Sequence, residues 1–537
     1  MTSINQQESS SLFSSNNSNK NGISQEDIIE SRLSKRQQDF INSEDFSQIK
    51  ETTMSSELSL GKNSRELLFK QRRLKQNNII IQEATKNLKD KLSIPLDWFE
   101  KCNNTPFSIS DIFQVISAFK NNTDINQKFF GLVGLKKILV LPEAPIQEIL
   151  NEEIIPEIIN LFDLDSNPEF QYEALLCLTY LIAKTNRNEQ IITLIIKLGI
   201  KKILKLFDSP IEEIKLQVPL LIGNLIFNSY KIRDLLIKEK VYDKLITILS
   251  STGNKNLIKN CTYAISNFFK IKPLMNYDIA KKSIKLFAKN LILLKDEYEF
   301  LSDACFILGF ITENYKEGIK ELMEFDILDT IIKLLDCTIV YVQITCIRLI
   351  GNIAAGNANQ TQKLIDLGLL TELKKTIFNQ KKVIRKESAW ILSNIAAGTQ
   401  KQVDILITED FLPIFQKSIF FDEPEVKKEC IWAVCNLTST KNPVNLQKIL
   451  EQGILECMHQ CLMINDTKII AVTLEGLGNL LQFGNNNKVN GENPIVKEIE
   501  RLGMYDLLES LQKHPVEIVY EKTLKLLLDY FEVQYND

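Results

Sequence analysis

From about residue 95 onward, apolar residues come in short bursts at helical spacing, separated by turn-forming residues. Two bursts stand out, VIRKESAWILSNIAAGT (383–399) and EVKKECIWAVCNLTST (425–440). In each, positions three and four apart share a face, so Ile391, Ile395, Ile431, Val434 and Leu437 form buried stripes of amphipathic helices. The same pattern returns every 42 to 44 residues. With Asn394 as reference, the equivalent positions are Tyr180, Asn224, Asn267, Phe310, Asn352, Asn394, Asn436 and Asn479. A small turn before an apolar helix recurs with the same period, as LGI at Leu198, LGL at Leu367, QGI at Gln452 and LGM at Leu502. Pro210, Pro424 and Pro494 at the heads of segments suit the first turn of a helix. The last interval is lengthened by GNNNKVNGEN (484–493), which reads as an inserted polar loop.

A period near 42 with helical periodicity inside each unit predicts an all-α solenoid of the armadillo or HEAT kind, a right-handed superhelix of about ten repeats between roughly Phe107 and Phe531. Each unit buries its apolar stripe only against its neighbours. The third helix of each unit carries the marked positions and lines the concave face. There, Trp390 stands four residues before Asn394, and Trp432 four before Asn436. Glu387 and Glu429 each lie three residues before their Trp, one turn away on the same face.

A lone Trp in a helix is most simply a packing residue. A Glu–Trp–Asn trio repeated in register is not, because core packing does not call for repeated Asn. An extended peptide leaves its backbone N–H and C=O groups unpaired, and a row of carboxamides can satisfy both. Indoles between them form slots for long aliphatic stems, and a cation at the stem's tip gains about 0.5–2 kcal/mol from a ring face. Carboxylates beside the slots select Lys and Arg. The ligand implied is an extended basic peptide.

Composition sharpens the class. The chain of 537 residues is 44% hydrophobic and 25% charged, with a net charge of −4, which argues against nucleic-acid binding. The ten cysteines, such as Cys177, Cys261, Cys305 and Cys346, sit in apolar helical stretches without a CxxC and read as reduced thiols of an intracellular protein. No apolar run reaches the roughly 18 residues of a membrane span. Residues 1–25 are Ser-, Asn- and Gln-rich and are expected to be disordered. Residues 26–92 form a charged arm with basic knots at Arg32, Lys35 and Arg36, and at Arg65, Lys70, Arg72, Arg73 and Lys75. Around the second knot, RELLFKQRRLKQ is either a solvated amphipathic helix or a basic segment that docks on an acidic surface. Residues 93–537, opening on Pro95 and DWFEK, are the repeat domain.

The repeats resemble those of the importin alpha family, over roughly residues 60–533. RKESAWILSNIAAG and KKECIWAVCNL look like its seventh and eighth repeats. CIRLIGNIAAGNANQTQKLIDLG looks like the sixth, SDACFILGFITEN the fifth, DTKIIAVTLEGLGNLL the ninth, and the segment closing on LLLDYF the tenth. The resemblance implies a nuclear-import adaptor that moves between cytoplasm and nucleus and binds basic localisation signals of cargo. Its minor signal site would comprise Arg348, Asn352, Glu387, Trp390, Asn394, Glu429, Trp432 and Asn436. The major site, in repeats two to four, departs from the family. Leu176 and Tyr180 replace Trp and Asn, Leu220 and Tyr263 replace two further Trp, Asn228 stands for an Asp, and Lys184 replaces Gly. What remains there is Gln217, Asn224, Tyr263 and Asn267, with Glu299 and Asp303 in the fifth repeat, so this degraded site is expected to bind basic peptides weakly or to have changed its ligand. RELLFKQRRLK resembles the family's importin-beta-binding arm, which also competes with cargo for the groove; the C-terminal repeats would bind an export receptor.

Chemistry of other kinds is not indicated. His459, in CMHQC with Cys457 and Cys461, lacks metal-ligand spacing, and His514 is a turn residue. There is no phosphate loop, dinucleotide turn or nucleophile elbow, and no cofactor or enzymatic activity is expected. Two alternatives stay open: an armadillo scaffold for a non-basic partner, and a regulatory subunit of an enzyme complex.

Overall fold

A computed structural model describes residues 94–121, 123–163, 167–185, 188–226 and 229–531, and these form helices joined by short turns. Ten helices stand in register, and eight of them, α2 to α9, carry the repeated marker positions: α1 (Ile125–Val140), α2 (Pro168–Lys184), α3 (Glu212–Leu225), α4 (Lys255–Phe269), α5 (Tyr298–Asn314), α6 (Val340–Ala354), α7 (Lys382–Ala396), α8 (Pro424–Leu437), α9 (Thr467–Asn486) and α10 (Glu517–Tyr530). Shorter helices precede all of them except α3, as Gln400–Thr408 and Phe411–Phe421 precede α8, which gives the three-helix unit of an armadillo repeat. The chain divides into two compact units, one ending at Ile327 and the other beginning at Leu328. In the first, α1 to α5 pack side by side in chain order; in the second, α6 to α10 do the same. The fold is an all-α armadillo solenoid.

Burial follows the period. On α7 the core side chains are Ile384, Ala389, Ile391, Leu392 and Ile395, and on α8 Val426, Ile431, Val434 and Leu437. Each large apolar side chain removed from water contributes about 1.5–3 kcal/mol before the entropy of ordering is subtracted. The cysteines join this core. All ten are unbridged and only Cys337 is partly exposed. Burial pushes the Cys102 thiol up to about 11 and those of Cys177 and Cys430 further still, which leaves them unreactive.

Local signals explain the breaks between helices. In NIAAGNANQ and NIAAGTQKQ, Asn357 and Thr399 form capping boxes with Gln360 and Gln402. A Cβ on Gly356 or Gly398 would lie 2.1 Å from the glutamine oxygen, so the box demands glycine there. Gln402 then donates to the Ala358 carbonyl of the preceding repeat at 2.9 Å. Gly368, Gly453 and Gly503 adopt left-handed φ before the second helix of their units, as the turn markers require. Glu153, Lys240 and Asp410 take the same conformation at equivalent turns, at a cost that glycine would avoid.

Three expectations need correction. At LGI the two short helices are fused into Glu189–Lys205, with Gly199 inside it and packed on Ile159. Pro424 and Pro494 occupy first turns, but Pro210 lies ahead of the Ile211 cap of α3. The 484–493 insert is only partly loop: α9 continues to Asn486, and Val489 pairs with Glu492 across a tight turn at Asn490 and Gly491, both at positive φ.

Lysine–acid pairs tie successive repeats: Lys202–Asp163, Lys244–Asp208 and Lys282–Asp243 in the first unit, Lys374–Glu409 and Lys448–Asp410 in the second. They are solvent-exposed and contribute at most about 1 kcal/mol each, so they set register more than stability. Among the described residues, no helix is long and apolar enough to cross a membrane.

Candidate functional site

The second unit gathers the eight residues expected for the minor site onto three adjacent helices. Arg348 and Asn352 are on α6, Glu387, Trp390 and Asn394 on α7, and Glu429, Trp432 and Asn436 on α8. Four-residue spacing stacks each Trp below its Asn on one helix face. Glu387 is not left over to select a ligand's cation. Its carboxylate accepts from the Arg348 guanidinium at 3.1 and 3.4 Å, with both side chains at most 2% exposed. That guanidinium lies 5.4 Å from the centre of the Trp390 ring. Arg348 is therefore a resident cation on the α6 side of the indole.

The ring has a seat that the sequence pattern hides. A Cβ on Gly351 would come within 2.3 Å of Cζ3 of Trp390, so the indole lies directly over the backbone of α6. Gly351 immediately precedes Asn352. Small residues precede the other marker positions too, at Gly223, Ser266, Gly309, Ser393, Cys435 and Gly478. This recurrence was the available signal for ring seats, and reading for Trp and Asn alone passes over it. Ser393 in turn donates to the Glu429 carboxylate at 3.1 Å.

Asn394 differs from the other rungs. Its side chain is 1% exposed, yet neither its carboxamide oxygen nor its nitrogen has a hydrogen-bond partner among the described residues. Leaving such groups unpaired costs about 1–3 kcal/mol each, a cost that a peptide N–H and C=O would remove together. Trp432, Asn436 and Glu429 are half-buried on the next helix. Beyond them the marker row closes again: Glu475 on α9 pairs with Lys522 on α10 at 2.6 Å, and Asn479 donates to Thr438 at 3.0 Å. Resident ion pairs thus bracket the two indoles on both sides.

The first unit is arranged differently. Gln217 and Asn224 are buried on α3, Tyr263 and Asn267 half-buried on α4, Asp303 half-buried on α5, and Glu299 exposed. Tyr263 repeats the ring seat, since a Cβ on Gly223 would lie 2.6 Å from its Cε1. Asn267, however, donates to the Gly223 carbonyl at 3.1 Å and accepts from Lys270 at 2.6 Å. Leu176 is in the core, and Lys184 donates to the Leu141 carbonyl at 2.6 Å at the end of α1. One row further along, Glu173 is locked to Lys136 at 2.6 Å, with both nearly out of solvent. Asn228 and the arm residues Arg32, Lys35, Arg36, Arg65, Lys70, Arg72, Arg73 and Lys75 lie outside the described residues.

Elsewhere, Cys457 and Cys461 point into the core while His459 is half-exposed, and no cluster suited to a metal occurs among the described residues.

No family model matches the chain. It is similar to importin subunit alpha-1b of Oryza sativa subsp. japonica, at 32% identity over 411 residues, which is 75% of this chain and 76% of that protein. Importin subunit alpha-3 of Arabidopsis thaliana matches at 32% over 413 residues, 75% of this chain and 76% of its own. Importin subunit alpha-B of Dictyostelium discoideum matches at 32% over 408 residues, 75% of this chain and 78% of its own. Among solved structures, the crystal structure of an engineered protein superimposes with a TM-score of 0.65 over 78% of this chain and 98% of its own, at 20% identity, a likeness of fold.

Proposed function

The chain belongs to the importin alpha family, and from that premise we propose that it is a nuclear-import adaptor whose second unit holds basic localisation signals of cargo in extended form. The observation that carries this is Asn394, a buried carboxamide with no hydrogen-bond partner among the described residues, on the helix of Trp390 and next to that of Trp432 and Asn436. The peptide backbone satisfies Asn394 and Asn436, and a Lys or Arg stem enters between the indoles of α7 and α8. Glu429 supplies the negative charge, because Glu387 already neutralises Arg348. The first unit contributes little to this binding. The basic arm at residues 26–92, through Arg65, Lys70, Arg72, Arg73 and Lys75, links the complex to importin beta, and the C-terminal repeats engage an export receptor for the return from nucleus to cytoplasm. The protein acts by binding and carries out no chemistry of its own.

Calorimetric titration of the full chain with an extended peptide bearing four consecutive Lys or Arg tests the central claim. Trp432→Ala should weaken binding about 10- to 100-fold, the range of an interface anchor, while leaving the unfolding midpoint nearly unchanged because the ring is half-exposed. Unaltered affinity in Trp432→Ala and Asn394→Ala would refute the site. The arm is tested separately by retention of importin beta on the full chain, which charge reversal at the five basic residues should abolish.

A further inference from the structure

The Lys270 side chain follows Asn267 by three residues at the end of α4 and turns back along its own helix face. Its ammonium lies 5.8 Å from the centre of the Tyr263 ring and 5.8 Å from that of Phe306 on α5, inside the roughly 6 Å range of a cation–π contact for each. It also donates to Asn267 Oδ1 at 2.6 Å. Tyr263 and Phe306 are 43 residues apart and stand four residues before successive markers, the position that Trp390 and Trp432 hold in the second unit. An ammonium between two rings at successive markers, hydrogen-bonded to the marker Asn, is the arrangement proposed above for a ligand's lysine. Here the chain supplies it. The other end of the Asn267 carboxamide is taken by Gly223, so this rung has neither a vacant slot nor a vacant amide.

We propose that Lys270 is a specificity-determining residue, a built-in substitute for the ligand that shuts the Tyr263–Phe306 rung to basic peptides and confines them to the second unit. The proposal rests on the reading of the marker row as a peptide-binding ladder. It adds that the first unit is closed by a single movable side chain as well as by its lost Trp residues. Opened, the slot would take a lysine or arginine stem against Tyr263 and Phe306, with the Asn267 oxygen as acceptor.

The test uses the full chain and two independent readouts. First, the rate at which each lysine is acylated by an N-hydroxysuccinimide ester is followed by mass spectrometry. Lys270 should react several-fold more slowly than the exposed Lys255, and Tyr263→Ala should bring the two together. Equal rates in the unaltered protein would overturn the proposal whatever the function. Second, a fluorescent tetrabasic peptide is titrated into Trp390→Ala/Trp432→Ala with and without Lys270→Ala. Removing the lysine should raise the residual affinity roughly 3- to 10-fold, the scale of one cation–π slot, whereas Lys270→Arg should leave it unchanged. If the double Trp variant loses binding but Lys270→Ala restores none, the lysine is not a plug and the adaptor reading stands. If the double Trp variant binds like the parent, the adaptor site fails, and the acylation rates alone decide whether the rung is filled.

Discussion

The rung on α4 and the rung on α7 are built on the same backbone plan and completed in opposite ways. In both, an aromatic ring rests over a glycine of the preceding helix, Tyr263 over Gly223 and Trp390 over Gly351, with an Asn one turn on. In the first, the Asn267 carboxamide is saturated at both ends by the chain itself. In the second, the Asn394 carboxamide is buried with no hydrogen-bond partner among the described residues. What separates a rung with unmet polar groups from a filled one is therefore not the presence of a ring and an amide. It is whether neighbouring side chains have already met their hydrogen-bonding and electrostatic demands.

The most forceful way to test this contrast is to disturb the cation beside each ring. Arg348 is 1% exposed and depends on Glu387, so Glu387→Ala leaves a buried guanidinium without that counter-ion and should cost about 3–5 kcal/mol in a denaturant titration. Replacing both, as Arg348→Met with Glu387→Leu, should restore most of the loss. Lys270→Ala removes a half-exposed cation whose acceptor stays hydrated, and should cost under about 1 kcal/mol. Similar losses in the two units would mean that the rungs do not differ in the way described.

Crowding the ring seats gives the next effect. Gly351→Val drives a methyl group into a ring that is 1% exposed and held by Arg348, and overpacking of that kind costs about 1–3 kcal/mol. Gly223→Val meets Tyr263, which is half-exposed and can swing outward, so part of the strain is relieved. The gain in helix propensity on replacing glycine offsets a few tenths of a kcal/mol at both sites. A smaller loss at Gly351 than at Gly223 would place the Trp390 indole in a looser setting than the geometry indicates.

These contrasts also mark how far the chain could be read unaided. The 42-residue period, the third-helix positions and the Trp390–Asn394 and Trp432–Asn436 pairs were legible because they depend on local spacing. The use made of Glu387 was not, since its partner Arg348 lies 39 residues away and only packing of α6 against α7 brings them together. Lys270 is invisible in the same way: nothing in NFFKIKP says that the side chain folds back between rings on two helices. The turn at LGI failed for a related reason. Glycine permits a left-handed turn without requiring it, and packing of Gly199 on Ile159 lets the helix continue.

The closures of the loops before two marker helices, α2 in the first unit and α7 in the second, differ in their dependence on pH, although α6 of the second unit keeps the neutral form through Gln343 and the Leu335 carbonyl. In the first, Gln171 on α2 donates to the Asp163 carbonyl at 2.7 Å, a neutral contact. In the second, Arg385 on α7 donates to the Asn379 and Gln380 carbonyls and grips Asp422 with two nitrogens. Burial, the largest influence, would raise the Asp422 carboxyl, but hydrogen bonds from Arg385 and from Glu423, together with the Arg385 charge, outweigh it and hold the group below the usual carboxylate range. A carboxyl lowered on folding stabilises the protein above its unfolded value, about 3.9, and that stability is lost as pH falls through the folded value. Asp422→Asn should therefore lower the unfolding midpoint at pH 6, and the effect should shrink as the pH is taken from about 3.9 down to 2.5. Gln171→Ala should give a loss that is the same at both. A pH-independent Asp422→Asn effect would remove the ionic closure from the second unit.

The smallest difference lies in the turns before the second helices. The second unit uses glycine at three of them, Gly368, Gly453 and Gly503, whereas the first unit uses Glu153 and Lys240 at φ 50° and 63°. A side chain at left-handed φ costs about 1–2 kcal/mol, and glycine in exchange adds about 0.4–1 kcal/mol of unfolded-state entropy. Lys240 is the cleaner site, because its ion pair with Asp243, the only one it makes among the described residues, is stretched to 4.0 Å with the lysine side chain 80% exposed. Lys240→Gly should thus stabilise the protein by about 0.5 kcal/mol. Asp410→Gly in the second unit gains less, since Asp410 also accepts from Lys448 at 2.8 Å and from Gln452 at 3.0 Å. Matched denaturation curves for the two variants measure this, and a gain at Asp410 equal to that at Lys240 would show that those two contacts contribute nothing to holding its turn.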